Sequence, residues 1–312
     1  MIDIAVIGAG NWGKNLVRNF YEIGSLKAAS EVDDDLRNRF QNEFKDVEFF
    51  ANYEDLLNSD IPAVAIATPA STHYEIAKKF LEAGKDVFVE KPMCLNVAEA
   101  ETLVKLAEEN GRILMTGHLL LYQPAIQFIK KYIEDEKLGK VHSLHQERLN
   151  LGRARNAENV LWSLGVHDIA VLHYLIGSAP VNVIASGQCV LQEKIEDDTY
   201  LHMTFDGGIV AHLHNSWLWT QRHRMLNVIG EKGMLTYDEL AQTVTLHNKT
   251  IDEKLQNQDN GSELIYKGEG QPLRLECEHF INCCETRETP VSDGKSALEV
   301  IKILEAATKQ MS

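Results

Sequence analysis

The sequence predicts an α/β fold in two parts: a doubly wound parallel sheet of the Rossmann type, then an α+β domain with an open, mostly antiparallel sheet. Three observations predict it. A short apolar run, Ile4-Ala5-Val6-Ile7, leads directly into a G-x-G-x-x-G sequence at Gly8, Gly10 and Gly13. Short apolar runs then alternate with segments of helical spacing up to about residue 118. Beyond that point, period-two alternation dominates, with runs of strands not separated by helices. A chain of 312 residues accommodates two ordinary domains, here 1–118 and 119–312.

Each element follows from its residues. The first run is apolar throughout, as a parallel strand buried on both faces must be. Gly8 permits the tight turn, Gly10 a close backbone approach to a pyrophosphate, and Gly13 close packing of helix on strand. Leu16, Val17, Phe20 and Ile23 recur at helical spacing, and the start of that helix offers free N–H groups to phosphates. A second strand, 26–32, ends near an acid. Glu31, with Asp33 as the alternative, lies about 20 residues past the glycines, where ribose hydroxyls are bound. An acid there repels a 2′-phosphate and no Arg follows at once, so NAD is expected rather than NADP. Asp34 and Asp35 read as solvated turn residues. Strands at 63–68, 86–90 and 113–116 alternate with helices at 72–83 and 97–110. The second domain opens with a helix at 125–133, a strand at 141–149 and a helix at 166–176. Strands at 181–190, 200–205, 209–217 and 225–230 follow, and a helix at 297–309 closes the chain.

Composition excludes several function classes. Hydrophobic residues make up 44% and charged residues 25%, normal for a chain with large cores. No apolar run approaches the ~18 residues of a membrane span. A formal charge of −15 opposes non-specific binding to nucleic acid or anionic lipid. Any anionic ligand must therefore be held by local cations. Asp3 sits where a basic leader region would begin, so a cytoplasmic protein is expected. Cys94, Cys189, Cys277, Cys283 and Cys284 form no C-x-x-C and read as reduced, mostly buried thiols. His212 and His214 share a strand face but lack nearby carboxylate or thiol partners, so no metal is expected.

Ligands of doubly wound sheets bind outside the carboxyl ends of the strands. Thr68-Pro69 ends one apolar run and His73 opens the next helix; Glu90-Lys91-Pro92 ends the following run. Proline restricts the backbone of Lys91. A lysine at the mouth of a nicotinamide pocket would feel the cationic ring, which favours its neutral form and suits it to proton handling.

Taken together, Gly8-x-Gly10-x-x-Gly13, Thr68-Pro69 with His73, Gly84 to Pro92, Gly165-Val166-His167-Asp168 and Glu276-x-x-His279-Phe280 resemble the glucose-fructose oxidoreductase/inositol dehydrogenase (Gfo/Idh/MocA) family over essentially the whole chain. Residues 10–20, 117–122 and 148–153 look like its nucleotide-sugar 3-dehydrogenase branch, which oxidises the C3 hydroxyl of UDP-N-acetylglucosamine or its uronic acid. An aminotransferase then acts on the ketone, supplying 3-amino sugars for lipid A or O-antigen. The resemblance implies NAD held by Gly8, Gly10, Asn11, Trp12, Gly13, Glu31, Thr68, Pro69, His73, Glu90 and Lys91. It implies Lys91 and His167 as the proton-handling pair at the reacting carbon, and assembly into a homodimer or homotetramer through the free face of the second sheet. One departure stands out: the family's D-x-x-x-H element has Ser163 in place of Asp. Either Asp168 or a substrate group orients His167, or Lys91 carries more of the proton transfer.

A UDP diphosphate needs cations. Arg148, Arg153 and Arg155 precede Trp162 and His167, and Arg222, His223 and Arg224 form a second basic group. Asn150 could bind sugar hydroxyls. The expected substrate set is Lys91, Arg148, Asn150, Arg153, Arg155, Trp162, His167, Asp168 and Arg222. The alternative functions are a dehydrogenase of a free sugar or inositol, and a non-catalytic NAD-binding protein.

Overall fold

A computed structural model describes residues 2–152 and 154–311. The chain forms two compact units, 1–119 with 271–301, and 120–270 with 302–312.

The first unit is a parallel sheet of six strands: β1 (Ile4–Ile7), β2 (Leu26–Ser30), β3 (Glu48–Phe50), β4 (Ala63–Ile66), β5 (Asp86–Glu90) and β6 (Leu114–Gly117). Their order is β3-β2-β1-β4-β5-β6, the doubly wound order whose reversal point lies beside the first strand. Helices α1 (Gly13–Ile23), α2 (Asp34–Glu43), α3 (His73–Glu82) and α4 (Val97–Glu109) connect the strands. β1, β4 and β5 are buried at every position, as their continuous apolar character requires.

Two elements here escape the sequence patterns. Asp34 and Asp35 are not turn residues; they open α2, where acids are favoured by the helix dipole. The Asp33 side chain caps that helix, accepting from the Leu36 N–H at 2.9 Å. The other is β3, too short and too polar at Glu48 to show a period.

The first unit is not closed by residue 119. Helix α7 (Pro272–Thr286) and the start of α8 (Gly294–Met311) belong with the parallel sheet, not with the second domain as the sequence reading had it. The reason is long-range packing. Phe280 of α7 is fully buried, its ring 5.7 Å from that of Phe88 on β5. Arg287, just past α7, donates to both oxygens of Asp86 at 2.6 and 3.0 Å. No local pattern announces such contacts.

The second unit holds helices α5 (Pro124–Glu134) and α6 (Val166–Ile176) and eight strands: β7 (Val141–Leu151), β8 (Asn182–Gln188), β9 (Asp198–Thr204), β10 (Val210–Ser216), β11 (Leu218–Gly230), β12 (Gly233–Asp238), β13 (Thr243–Ile251) and β14 (Asn257–Lys267). The sheet order is β14-β13-β12-β11-β7-β10-β9-β8. All pairs are antiparallel except β7 with β10. Leu144, Gln146 and Arg148 of β7 are buried, while Ser143, His145 and Glu147 on the other face are half-buried. β12, β13 and β14 lie outside the expected strands. β14 is mostly exposed, with polar residues on both faces, so alternation cannot reveal it. Among the described residues no helix is long and apolar enough to cross a membrane.

Membership of α7 in the first unit can be tested by truncating its buried ring. Phe280→Ala should cost about 3–5 kcal/mol in urea unfolding and weaken NAD binding. A loss under ~1 kcal/mol would show that α7 does not complete this core.

Candidate active site

In the first unit the glycine loop is built by close approach. Gly8 has φ +88°, which side chains resist. A Cβ on Gly13 would sit 1.9 Å from the Gly8 carbonyl oxygen, whereas a Cβ on Gly10 would meet nothing within 4 Å. The loop is thus closed on its protein side at Gly13 and open at Gly10. α1 begins with neither a side-chain cap nor an acid in its first turn. The Lys14 and Asn15 N–H groups turn back to the carbonyls of Gly10 and Trp12 at 3.2 and 2.8 Å, so no side chain competes with an anion at this helix start.

Glu31 stands at the carboxyl end of β2. Its carboxylate accepts from the Ala9 N–H at 2.8 Å and the Asp33 N–H at 3.1 Å, tying the glycine loop to the second strand. Because Asp33 is spent as a helix cap, Glu31 is the acid left at the ribose position. Thr68 packs its methyl group close to Gly8 and accepts from the Thr72 hydroxyl at 2.8 Å. Pro69 and Asn11 are exposed beside it.

His73 is buried at the start of α3. Its ring nitrogens lie 2.8 Å from the carbonyl oxygens of Pro92 and Thr68, and burial pushes its pKa down. The neutral ring donates to one of these carbonyls and lies against the other, between two strand-end loops. At the end of β5, the Trp12 indole N–H donates to the Glu90 carboxylate. Lys91 follows, half-buried, on a cis peptide to Pro92.

In the second unit, His167 sits one residue into α6, which is preceded by a π-helical turn, Leu161–Gly165. Such turns are rare and recur at functional sites. Gly165 is required there: a Cβ would come 2.4 Å from the Asn215 side-chain oxygen. Ser163 and Asp168 are buried, and His167 is half-buried.

Two of the expected substrate residues are committed to the interior. The Arg148 Nε donates to both oxygens of Asp168 at 2.8 and 3.0 Å, and its two terminal nitrogens donate to Glu239 at 3.1 and 2.6 Å. Arg224 donates to Glu239 at 2.6 Å, and Asn215 to Asp168 at 2.9 Å. Sheet register causes this, for Arg148 pairs with Asn215 on β10 and with Arg224 on β11. Two guanidinium groups and two carboxylates cancel in charge. Burial raises the Asp168 pKa against the pull of Arg148; in Glu239 the arginines outweigh burial and lower it. Asp168 thus accepts from Arg148 and Asn215 in the interior.

The other candidates scatter. Arg155 is exposed and pairs with Glu158 at 2.6 Å. The Trp162 indole donates to Thr308 at 3.0 Å. His223 pairs with Glu147 at 2.9 Å, leaving Arg222 as the exposed cation of its group. Asn150 is half-buried, with its side-chain oxygen unpartnered among the described residues. Arg153 lies outside the described residues. Sequence reasoning missed Glu239 and Asn215, whose roles are set by pairing across strands.

Comparison with known proteins agrees with this geometry. Residues 2–118 match the oxidoreductase family with NAD-binding Rossmann fold, Gfo/Idh/MocA, and residues 126–236 match the Gfo/Idh/MocA C-terminal domain. The UDP-N-acetylglucosamine 3-dehydrogenase of Acidithiobacillus ferrooxidans is 28% identical over 95% of this chain and 93% of its own. Its solved structure superposes with a TM-score of 0.88 over 99% of this chain and 97% of that one, at 25% identity. The myo-inositol 2-dehydrogenase of Thermotoga maritima is 25% identical over 95% of this chain and 92% of its own. Levoglucosan dehydrogenase, solved with NADH and levoglucosan, shares the fold at a TM-score of 0.87 and 17% identity, covering 99% of this chain and 96% of that one. NAD is the cofactor, and the glycine loop, the uncapped α1 and Glu31 suit it.

Two pairs of measurements follow. Gly10→Ala should keep wild-type stability yet weaken NAD binding at least ~10-fold, about 1.4 kcal/mol, because the added methyl occupies only the cofactor's space; Gly13→Ala should compromise folding itself. Arg148→Ala should cost about 3–5 kcal/mol of stability by stranding Asp168 and Glu239. A stable Arg148→Ala protein with only a raised substrate KM would return Arg148 to the substrate site.

Proposed function

Since the chain belongs to the Gfo/Idh/MocA oxidoreductase family, we propose that it oxidises the C3 hydroxyl of a UDP-N-acetylglucosamine-type nucleotide sugar to the 3-keto sugar. The observation that carries this reading is its likeness to the Acidithiobacillus ferrooxidans enzyme along 95% of the chain. The 3-ketone is the substrate of an aminotransferase, which places the reaction before 3-amino sugar formation for lipid A or O-antigen.

NAD, bound at the carboxyl ends of the parallel strands, supplies the hydride acceptor. The chain's own part is to bind, orient and deprotonate the alcohol. In this reading His167 takes the hydroxyl proton while Lys91 polarises the oxygen and passes the proton on. Both are half-buried, as groups that meet a ligand must be. The π-helical turn before α6 supports the assignment, since such turns recur at functional sites. With Arg148 and Arg224 bound internally, Arg222, Arg155 and Arg153 are the cations for the diphosphate, and Asn150 keeps an acceptor for a sugar hydroxyl. Assembly into a dimer or tetramer belongs to the same proposal, through the sheet face that bears Ile184 and Tyr200, each 54% exposed.

A substrate panel decides between this and a free-sugar enzyme. UDP-N-acetylglucosamine, its uronic acid, glucose and myo-inositol should be offered with NAD, with 2-oxoglutarate present to recycle tightly held NADH, and products read by mass. Only the UDP sugars should yield a product lighter by two hydrogens; turnover of glucose or inositol alone would overturn the reading. Lys91→Ala and His167→Asn should each lose at least ~100-fold in kcat, and wild-type rates in both would remove them from the proton path.

A further inference from the structure

The end of β5 carries more than a lysine. Glu90 is almost fully buried there. One carboxylate oxygen accepts from the Trp12 indole; the other accepts from the Lys91 N–H at 3.3 Å. β6 passes it at Gly117, its partner in register, where a Cβ would come within 2.9 Å of that second oxygen. From α7 comes Glu276, fully buried, with no hydrogen-bond partner for either side-chain oxygen among the described residues. A carboxylate with no donor in an apolar interior is far costlier than the neutral acid. Phe88, two residues before Glu90 on the same strand face, packs on Phe280, one helical turn after Glu276, which brings the two carboxyls together. Neighbouring carboxyls cannot both ionise cheaply, and the one with donors ionises first.

We propose that Glu90 and Glu276 form a buried carboxyl pair in which Glu276 stays a neutral acid, and that ionised Glu90 makes the site prefer NAD⁺ to NADH. The oxidised nicotinamide carries a positive charge and the reduced ring does not. A cation brought to the strand ends, where ligands of this sheet lie, stabilises ionised Glu90. Binding of NAD⁺ therefore expels a proton, and by linkage its affinity rises with pH; NADH gains nothing.

The surrounding groups leave the neutral range to this pair. Burial pushes Glu90 up to about 7, against the pull of Trp12 and Lys91. Burial, then the Glu90 charge, hold Glu276 well above the ordinary carboxyl range. Cys277 on α7 is driven upward by the same burial and stays a thiol. His73, braced on the Pro92 carbonyl, is pushed down by burial and stays neutral. Thr116 and His118 flank Gly117 on β6, and Lys91 contributes the adjacent positive charge.

Calorimetric titration of dinucleotide-free protein with NAD⁺ and with NADH, at pH 6, 7 and 8 in buffers of different ionisation heat, tests this. NAD⁺ affinity should rise up to ~10-fold from pH 6 to 8, with a fractional proton released near pH 7, while NADH affinity stays flat. Glu90→Gln should abolish the difference in slope. Trp12→Phe removes a donor to Glu90 and should move the midpoint to higher pH; it serves as the readout if Glu90→Gln does not fold. Glu276→Gln imitates the neutral acid, so NAD⁺ affinity at pH 7 and the linkage should persist. A carboxyl whose pKa is raised by folding loses stability as pH rises above its unfolded value. Glu276→Gln should thus gain Tm over wild type increasingly from pH 6 to 9. Parallel slopes for NAD⁺ and NADH, a slope that survives Glu90→Gln, or a pH-independent Tm gap would each overturn the proposal. It rests on NAD and not on the sugar, so its failure leaves the substrate reading intact.

Discussion

Six parallel strands end along one edge, and the functional reading of the first unit depends on that constraint. Parallel strands must be joined by crossovers, so the loops at their carboxyl ends all open on the same side. Residues far apart in sequence are thereby gathered: the glycine loop after β1, Glu31 after β2, Thr68 after β4 and Glu90-Lys91 at the end of β5. Cross-links then fix them. Glu31 grips the Ala9 N–H, Trp12 reaches Glu90, and His73 spans Thr68 and Pro92. The loops are braced by polar groups, leaving the space at Gly10 open for the ligand.

The second unit solves a different problem. It buries charge in the middle of a sheet, which is tolerable only because Arg148, Asp168, Glu239 and Arg224 neutralise one another and share hydrogen bonds. In a chain of net charge −15, local arginines are what any anionic ligand would need. Two of the most promising are instead internal. Removing Arg148 would leave Asp168 and Glu239 buried without their counter-charge, at a cost of about 3–5 kcal/mol. In the proposed function, binding of a diphosphate would then fall to side chains on exposed segments.

Burial without a partner carries the opposite message. Glu276 lowers stability at every pH where its unfolded counterpart is ionised, and no hydrogen bond among the described residues offsets that. Groups of this kind cluster at functional sites, and its neighbour is the carboxylate that holds Trp12 beside Lys91. The same low dielectric that makes Glu276 costly makes the ionisation of Glu90 responsive to charge nearby.

Local chemistry was legible in the sequence wherever a short pattern does the physical work. Apolar runs specified strands buried on both faces, glycines specified a turn with φ +88° and a close approach, and E-K-P marked a strand end. Patterns of one or two turns also located α1, α3, α4 and α6. What depends on partners distant in sequence was not legible. α2 hid behind acids that read as a turn, and β12 to β14 lacked a clean alternation. α7 joined the first unit through Phe280 and Arg287, and Arg148 and Asp168 moved from ligand to interior. Composition, periodicity and motif are properties of neighbouring residues, so the sequence by itself determined the fold class, the NAD loop and the candidate pair Lys91 and His167. Only the tertiary structure decided which charges are spent on each other, because that is settled by strand register and burial, which no single segment contains.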